Sequence, residues 1–229
     1  MKRSPCHLVR RLWREWLHPL AFAAAIIFPL KSSLAEWNYI PSASMIPSLL
    51  PGDVVWVNKL AYDLKVPFTT WHLAEWGDPR RGEVAVFFSP ADGIRLVKRV
   101  IGLPGDLIES RHDRLFVNGV PVAYAPLSAG QTDSAEGSDV ILAEEGLPGR
   151  HHPVMLQPRR PARRSFGPIR VPPGCYFMMG DNRDDSHDSR YFGCVPRRTF
   201  LGRTATVIAS ADPTRWLRPR GDRLLRAIP

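Results

Sequence analysis

Beyond Trp37 the chain has no helical period. It breaks instead into short β-branched and aromatic runs divided by turn-forming residues, which limits the possible folds more than any other feature. The runs are Val54–Val57, Glu83–Phe88, Arg95–Ile101, Leu115–Val117, Val140–Leu142, Tyr176–Met179 and Thr204–Ile208. Between them stand Pro51-Gly52-Asp53, Pro104-Gly105-Asp106, Asn118-Gly119 and Pro172-Pro173-Gly174. No long helices alternate with these runs, so a parallel α/β sheet is not expected, and a mainly antiparallel β architecture is. Residues 111–171 differ in texture. Five acids and no base lie between Asp133 and Glu145, and six arginines and no acid between Arg150 and Arg170. This segment is read as a β-rich insertion lobe whose halves attract each other, or as a pair of solvated loops. The expected division is a β core over 37–110 and 172–210, the lobe over 111–171 and a basic tail over 211–229. A frayed, solvated end is the ordinary fate of such a tail; contact with anionic headgroups is the other.

The N-terminus reads differently. Lys2, Arg3, Arg10, Arg11 and Arg14 precede the apolar run Pro19–Leu30, with Trp13 and Trp16 before it and Trp37 after it. The 20 residues between Trp16 and Trp37 would span roughly 30 Å as a helix, matching a bilayer core with an aromatic residue at each interface. Residues 1–16 are therefore expected on the cytoplasmic side, with 17–36 as one transmembrane anchor and the rest outside. Two readings stay open beside it. The run is short enough for a cleaved signal, with Ser33-Leu34-Ala35 as a small-x-small site, or for a soluble buried helix.

The net charge is +9, from 31 basic and 22 acidic residues, and only five of the basic ones are lysines. Such a balance suits nucleic acid or anionic lipid. The arginine-flanked apolar segment favours lipid, and no nucleic-acid partner is expected. The three cysteines, with no CxxC or HxxxH spacing, exclude a disulfide-dense scaffold and give no sign of structural zinc.

Three segments carry candidate chemistry. In Pro41-Ser-Ala-Ser44-Met-Ile-Pro47 the serines lie in a proline-bounded turn, and fixed φ angles suit a hydroxyl and an amide that must both be aimed. Taken alone, they read as ordinary turn formers. In Arg95–Asp106, Lys98 shares its strand face with Leu96 and Val100 while Val97, Arg99 and Ile101 face the other way. Burial between apolar neighbours would lower the lysine pKa. A shift to about 8 costs roughly 3 kcal/mol and yields a usable general base. An edge lysine reaching into water is the bland alternative. The third segment, Met179–Tyr191, packs carboxylates, amides, hydroxyls and guanidinium groups into 13 residues. It reads as a solvated loop or, from its alternating Asp and Arg, as an internally bonded loop supporting a site. Cys175 and Cys194 bracket it, and in an exported protein they would either form a disulfide or remain free. Cys6 is expected in the cytoplasm, reduced.

Taken in order, these segments resemble the three motifs of bacterial type I signal (leader) peptidases. The correspondence runs from about Trp37 to Ile208 and passes over the insertion. It implies Ser44 as nucleophile, Lys98 as general base and an oxyanion hole formed by the Ser44 amide and the Ser42 hydroxyl. It further implies Ser186 orienting the lysine amine, Asp188 with Arg190 holding the loop, and Arg99 paired with Asp181. Ile40, Met45, Leu49, Leu96 and Val97 would line shallow pockets for small residues before the scissile bond. The substrate would lie extended beside the strand carrying Lys98. The implied enzyme is a monomer of the bacterial inner membrane with an extracytoplasmic catalytic domain, acting on signal peptides of preproteins and needing no cofactor and no metal. A dedicated peptidase for one secretion or conjugation substrate is the close alternative. His187 stands where the family more often has a small residue, leaving a Ser44–His187 pair conceivable, whereas His151 and His152 read as surface residues. Trp71, Leu73 and Trp76 suit either the lipid interface or the core.

Overall fold

The computed structural model describes residues 13–20, 22, 33–66, 69, 71–127 and 140–229. The expected anchor falls mostly outside them, as do most of residues 1–16 and the acids from Asp133 to Asp139. Among the described residues no helix is long and apolar enough to cross a membrane; Trp13–Leu17 is a π-helical turn.

Strands β1 (Ala35–Tyr39) and β2 (Asp53–Asn58) precede a hairpin of β3 (Asp63–Lys65) and β4 (His72–Glu75), then β5 (Val84–Phe88) and β6 (Arg95–Gly102). Next come β7 (Leu107–Arg111), β8 (Arg114–Val117), β9 (Val120–Pro121), β10 (Ala123–Pro126), β11 (Ile141–Leu147), β12 (Arg150–Leu156) and β13 (Phe166–Arg170). The chain returns through β14 (Cys175–Met179), a one-turn helix α1 (Ser189–Phe192), β15 (Val195–Pro196) and the long β16 (Phe200–Asp212), and closes with β17 (Arg218–Pro219) and β18 (Arg226–Ala227). The main sheet runs β1-β2-β16-β5-β6-β14-β15, with β17 and β18 paired to β16. Its strands pair antiparallel throughout, as do those of two smaller sheets, β13-β7-β8-β9 and β10-β11-β12, which begin at Leu107, four residues before the expected start of the insertion. The fold is mainly antiparallel β, as the sequence predicts.

Each turn signal falls at a strand boundary. Gly52 illustrates why: its φ is +94°, and a Cβ there would run into the Ala211 carbonyl oxygen. Alternation sets the burial. Val55 and Val57 of β2 point into the core while Trp56 is exposed. Strand β6 is buried almost throughout because both its faces are covered. Val97 packs with Val84 and Val86 on one side, and Val100 with Ala85 and Phe87 on the other.

The tail is not a frayed end. Strand β18 pairs with β16, Ile228 is buried in the core beside Val55 and Leu49, and Arg223 is buried against Asp53. Trp71, Leu73 and Trp76 lie exposed on and beside the β3–β4 hairpin, so they have no core role. Three of the five acids of the opposite half lie outside the described residues, and two of the arginines find carboxylates elsewhere. Arg160 bonds Asp185, and Arg164 bonds Asp113 and Asp184.

Candidate active site

The segment between β1 and β2 is a tight loop closed by Ile40 N donating to Asp53 O (2.8 Å) and Gly52 N to Ile40 O (2.9 Å). Its apolar side chains Met45 and Leu49 are sunk in the core, which leaves Ser44 buried at the loop's inner edge. The third sequence segment clamps it from the other side. Asn182 donates its amide N–H to Ser44 O (3.1 Å) and its side chain to Ala43 O (3.2 Å). At Gly180 the backbone approaches so closely that a Cβ would collide with Ser44 O and Ser186 Oγ.

Strand β6 delivers Lys98 to this point, on the face of Leu96 and Val100 as alternation predicts. Its Nζ lies 2.5 Å from Ser44 Oγ, and Lys98 is only 3% exposed. Burial is the largest influence on the amine and pushes its pKa down to about 8. Asp188, Asp181 and Asp185 pull it back up, and Arg190 pushes further down. Ser42 Oγ lies 3.3 Å from Ser44 Oγ. The ring of His187 is instead exposed and stacks on Tyr191, with centroids 5.2 Å apart.

Behind the lysine, Arg99 and Asp181 form a fully buried bidentate pair, Nε to Oδ1 at 2.8 Å and Nη2 to Oδ2 at 2.7 Å. Arg99 also donates to Gly82 O, Pro229 O and Ser48 Oγ, so the serine loop, β6 and the C-terminal residues meet at one guanidinium. That pair and the hydrogen bonds of Arg190 to Asp188 hold the carboxyls of Asp181 and Asp188 below their ordinary range against the opposing effect of burial. Asp188 accepts from Arg190 through both oxygens (2.9 Å each) and from Gly180 N (3.1 Å). Ser186 is buried nearby with its hydroxyl beside the Asp188 carboxylate, and the expected bond to the lysine amine is not formed.

Of the five apolar residues expected around the site, Ile40, Met45, Leu49 and Val97 share one cluster, while Leu96 packs on the opposite sheet face beside Val100. One edge of β6 is open where it matters. Its partner β14 reaches Arg99, Val100 and Gly102, whereas, among the described residues, 95–98 pair only with β5. Cys175 and Cys194 are free thiols, so the disulfide considered for them is absent. Burial first, and Cys175 second, push the Cys194 thiol up to about 11.

Sequence reasoning missed four members of this neighbourhood: Ser48, Asn182, Glu145 and His152. His152 is the plain correction, since it is 1% exposed rather than a surface residue. Its Nε2 lies 3.4 Å from Glu145 Oε1 and 3.9 Å from Asp181 Oδ1. Burial, reinforced by Arg99, pushes its pKa down to about 3, so the ring is neutral. Strand alternation in 150–156 carried the only signal for its burial.

The description "Signal peptidase, peptidase S26" matches residues 13–209 of this chain. A signal peptidase I of Pseudomonas fluorescens is 39% identical over 85% of the chain and 70% of its own length; one of Pseudomonas aeruginosa is 39% identical over 82% and 70%. Signal peptidase I P of Bacillus subtilis subsp. natto is 34% identical over 88% of the chain and 91% of its own length. With a serine and a buried amine in contact at the centre of the fold, these matches place the chain in the signal peptidase family, peptidase S26, as a serine endopeptidase.

Proposed function

We propose that this chain removes signal peptides from exported preproteins by a Ser–Lys mechanism, cleaving after small-x-small sequences of the Ala-x-Ala kind. The observation carrying this reading is the 2.5 Å contact between Lys98 Nζ and Ser44 Oγ in a buried setting that lowers the amine's proton affinity. Neutral Lys98 takes the Ser44 proton as the oxygen attacks the carbonyl. The Ser44 amide and Ser42 hydroxyl receive the developing oxyanion, and protonated Lys98 then supplies the leaving amine with its proton. Water, activated by the same amine, releases the acyl group. The open edge of β6 at residues 95–98 supports substrate binding by strand addition beside the reacting pair. Ile40, Met45, Leu49 and Val97 on one face of β6, and Leu96 on the other beside Lys98, are the apolar residues that would limit the substrate to small side chains.

We place the enzyme at the bacterial inner membrane. The apolar run 19–30 would anchor it, and the exposed Trp71, Leu73 and Trp76 would meet lipid. Arg190 with Asp188, and Arg99 with Asp181, act in this reading as supports that fix the loop and β6, with Ser186 beside them.

The test is cleavage of a preprotein bearing Ala-x-Ala by the wild-type chain and by Ser44→Ala, Lys98→Ala and His187→Ala. Loss in the first two and retention in the third is expected. Activity surviving in Lys98→Ala but lost in His187→Ala would reverse the base assignment.

A further inference from the structure

The insertion's three-stranded sheet aligns three polar side chains in one cross-strand row: Tyr124 of β10 stands opposite Glu145 of β11, which stands opposite His152 of β12. Rows of this kind normally face solvent, yet Glu145 and His152 are completely buried. What they face is the loop that clamps Ser44. Glu145 accepts from Tyr124 Oη (2.6 Å) and from Arg183 Nη2 (2.6 Å). Arg183 is the hub of that loop. Its Nε donates to Gly180 O (3.2 Å), its amide to Met155 O of β12 (2.9 Å), and its own carbonyl accepts from Arg190 Nη2 (2.5 Å). Gly180 presses on Ser44 O, and the neighbouring Asn182 bonds it.

We propose that Glu145 and Arg183 are positioning residues for the Ser44–Lys98 pair, and that the insertion lobe exists in part to bring them there. The proposal rests on the Ser–Lys reading above. Its physical content is twofold. The pair fixes the Gly180–Arg183 backbone against Ser44, and it cancels a guanidinium charge that would otherwise act on the lysine. The charged groups acting most strongly on Lys98 are Asp188, Asp181, Asp185 and Arg190. Those acting on Arg183 are Glu145 and Asp181, and those acting on His152 are Arg99, Asp181, Glu145 and Arg183. Asp181 is a near neighbour of all three, so Arg183 lies in the same electrostatic neighbourhood as Lys98, and an uncompensated charge there acts on the amine through space.

The sign follows. Glu145→Gln leaves Arg183 uncompensated, disfavours the ammonium form of Lys98 and moves the acid limb of kcat/KM to lower pH, by roughly half a unit. Arg183→Gln leaves Glu145 uncompensated and moves it the opposite way. The double variant exchanges a buried ion pair for two neutral amides, leaves neither charge uncompensated, and returns the midpoint to the wild-type value. In both single variants kcat falls about tenfold as the loop shifts, with KM little changed.

The experiment is the pH profile of preprotein cleavage by the full chain, for wild type, both single variants and the double, with thermal unfolding to establish that each is folded. Ser44→Ala and Lys98→Ala are run alongside. Opposite shifts that cancel in the double variant establish the proposal, and should one single variant not fold, the other with the double still gives the sign. Identical midpoints in all folded variants, with Ser44→Ala and Lys98→Ala inactive, overturn this proposal alone; activity in those two overturns the Ser–Lys reading beneath it.

Discussion

At the scale of single residues, the decisive quantity is the proton affinity of one amine. Lys98 must be neutral to act, so kcat/KM is expected to rise with pH through about 8 and then level. Lys98→Arg keeps the charge and nearly the volume but cannot deprotonate, so cleavage is expected to fall about a thousandfold; activity within tenfold of wild type would contradict the base role. The same shift acts on stability. The folded pKa is lowered from 10.5 to about 8, so between those values the unfolded chain binds more protons than the folded one. Stability therefore rises with pH across that window, by about 3 kcal/mol, and the penalty is fully present below it. Denaturant unfolding of wild type and Lys98→Met at pH 7 and pH 10 checks this. The stability of Lys98→Met relative to wild type should shrink as pH rises, and a constant difference would refute it.

At the scale of elements, the site was legible wherever its chemistry is local in sequence. Lys98 could be placed on the face of Leu96 and Val100 because a strand alternates, whereas the turn between Pro41 and Pro47 read alone as an ordinary turn and Ser44 was singled out by the family resemblance. The Arg99–Asp181 pair came from the family resemblance. Glu145 and His152 were not legible, because their meeting depends on cross-strand register, which no single run reveals. The partners of Arg160 and Arg164 were hidden for the same reason: both find carboxylates of the third segment, Asp185 and Asp184. Gly180 is the element-scale feature most exposed to a direct test. Gly180→Ala puts a methyl group against Ser44 O and Ser186 Oγ, backbone on one side and a buried hydroxyl on the other. A loss of at least about a hundredfold in kcat is expected, as is typical when reacting groups move by about 1 Å. Unchanged cleavage by a folded Gly180→Ala would show that the loop's closeness to Ser44 does not matter.

At the scale of the whole molecule, the sheet closes around the serine loop by drawing in its last strands. Arg223 donates to both oxygens of Asp53 (2.9 and 2.5 Å) and to Ser48 O (3.1 Å), while Asp53 accepts from Leu50 N (2.8 Å). The basic tail thus supplies the counter-charge for a fully buried carboxylate that shapes the loop carrying Ser44, a function composition alone does not disclose. Removing one partner of a buried ion pair strands the other, at about 3–5 kcal/mol, whereas replacing both with apolar groups of similar volume is often neutral. Arg223→Met is therefore expected to lower Tm by about 10 °C, on a scale of 2–4 °C per kcal/mol for chains of this length, and to weaken cleavage by loosening the loop. Asp53→Leu with Arg223→Met should recover most of the lost stability but not the activity, because Leu50 N then has no acceptor. Thermal unfolding and preprotein cleavage on the three variants separate the two effects. Full activity in the stable double variant would mean the tail braces the sheet without shaping the site.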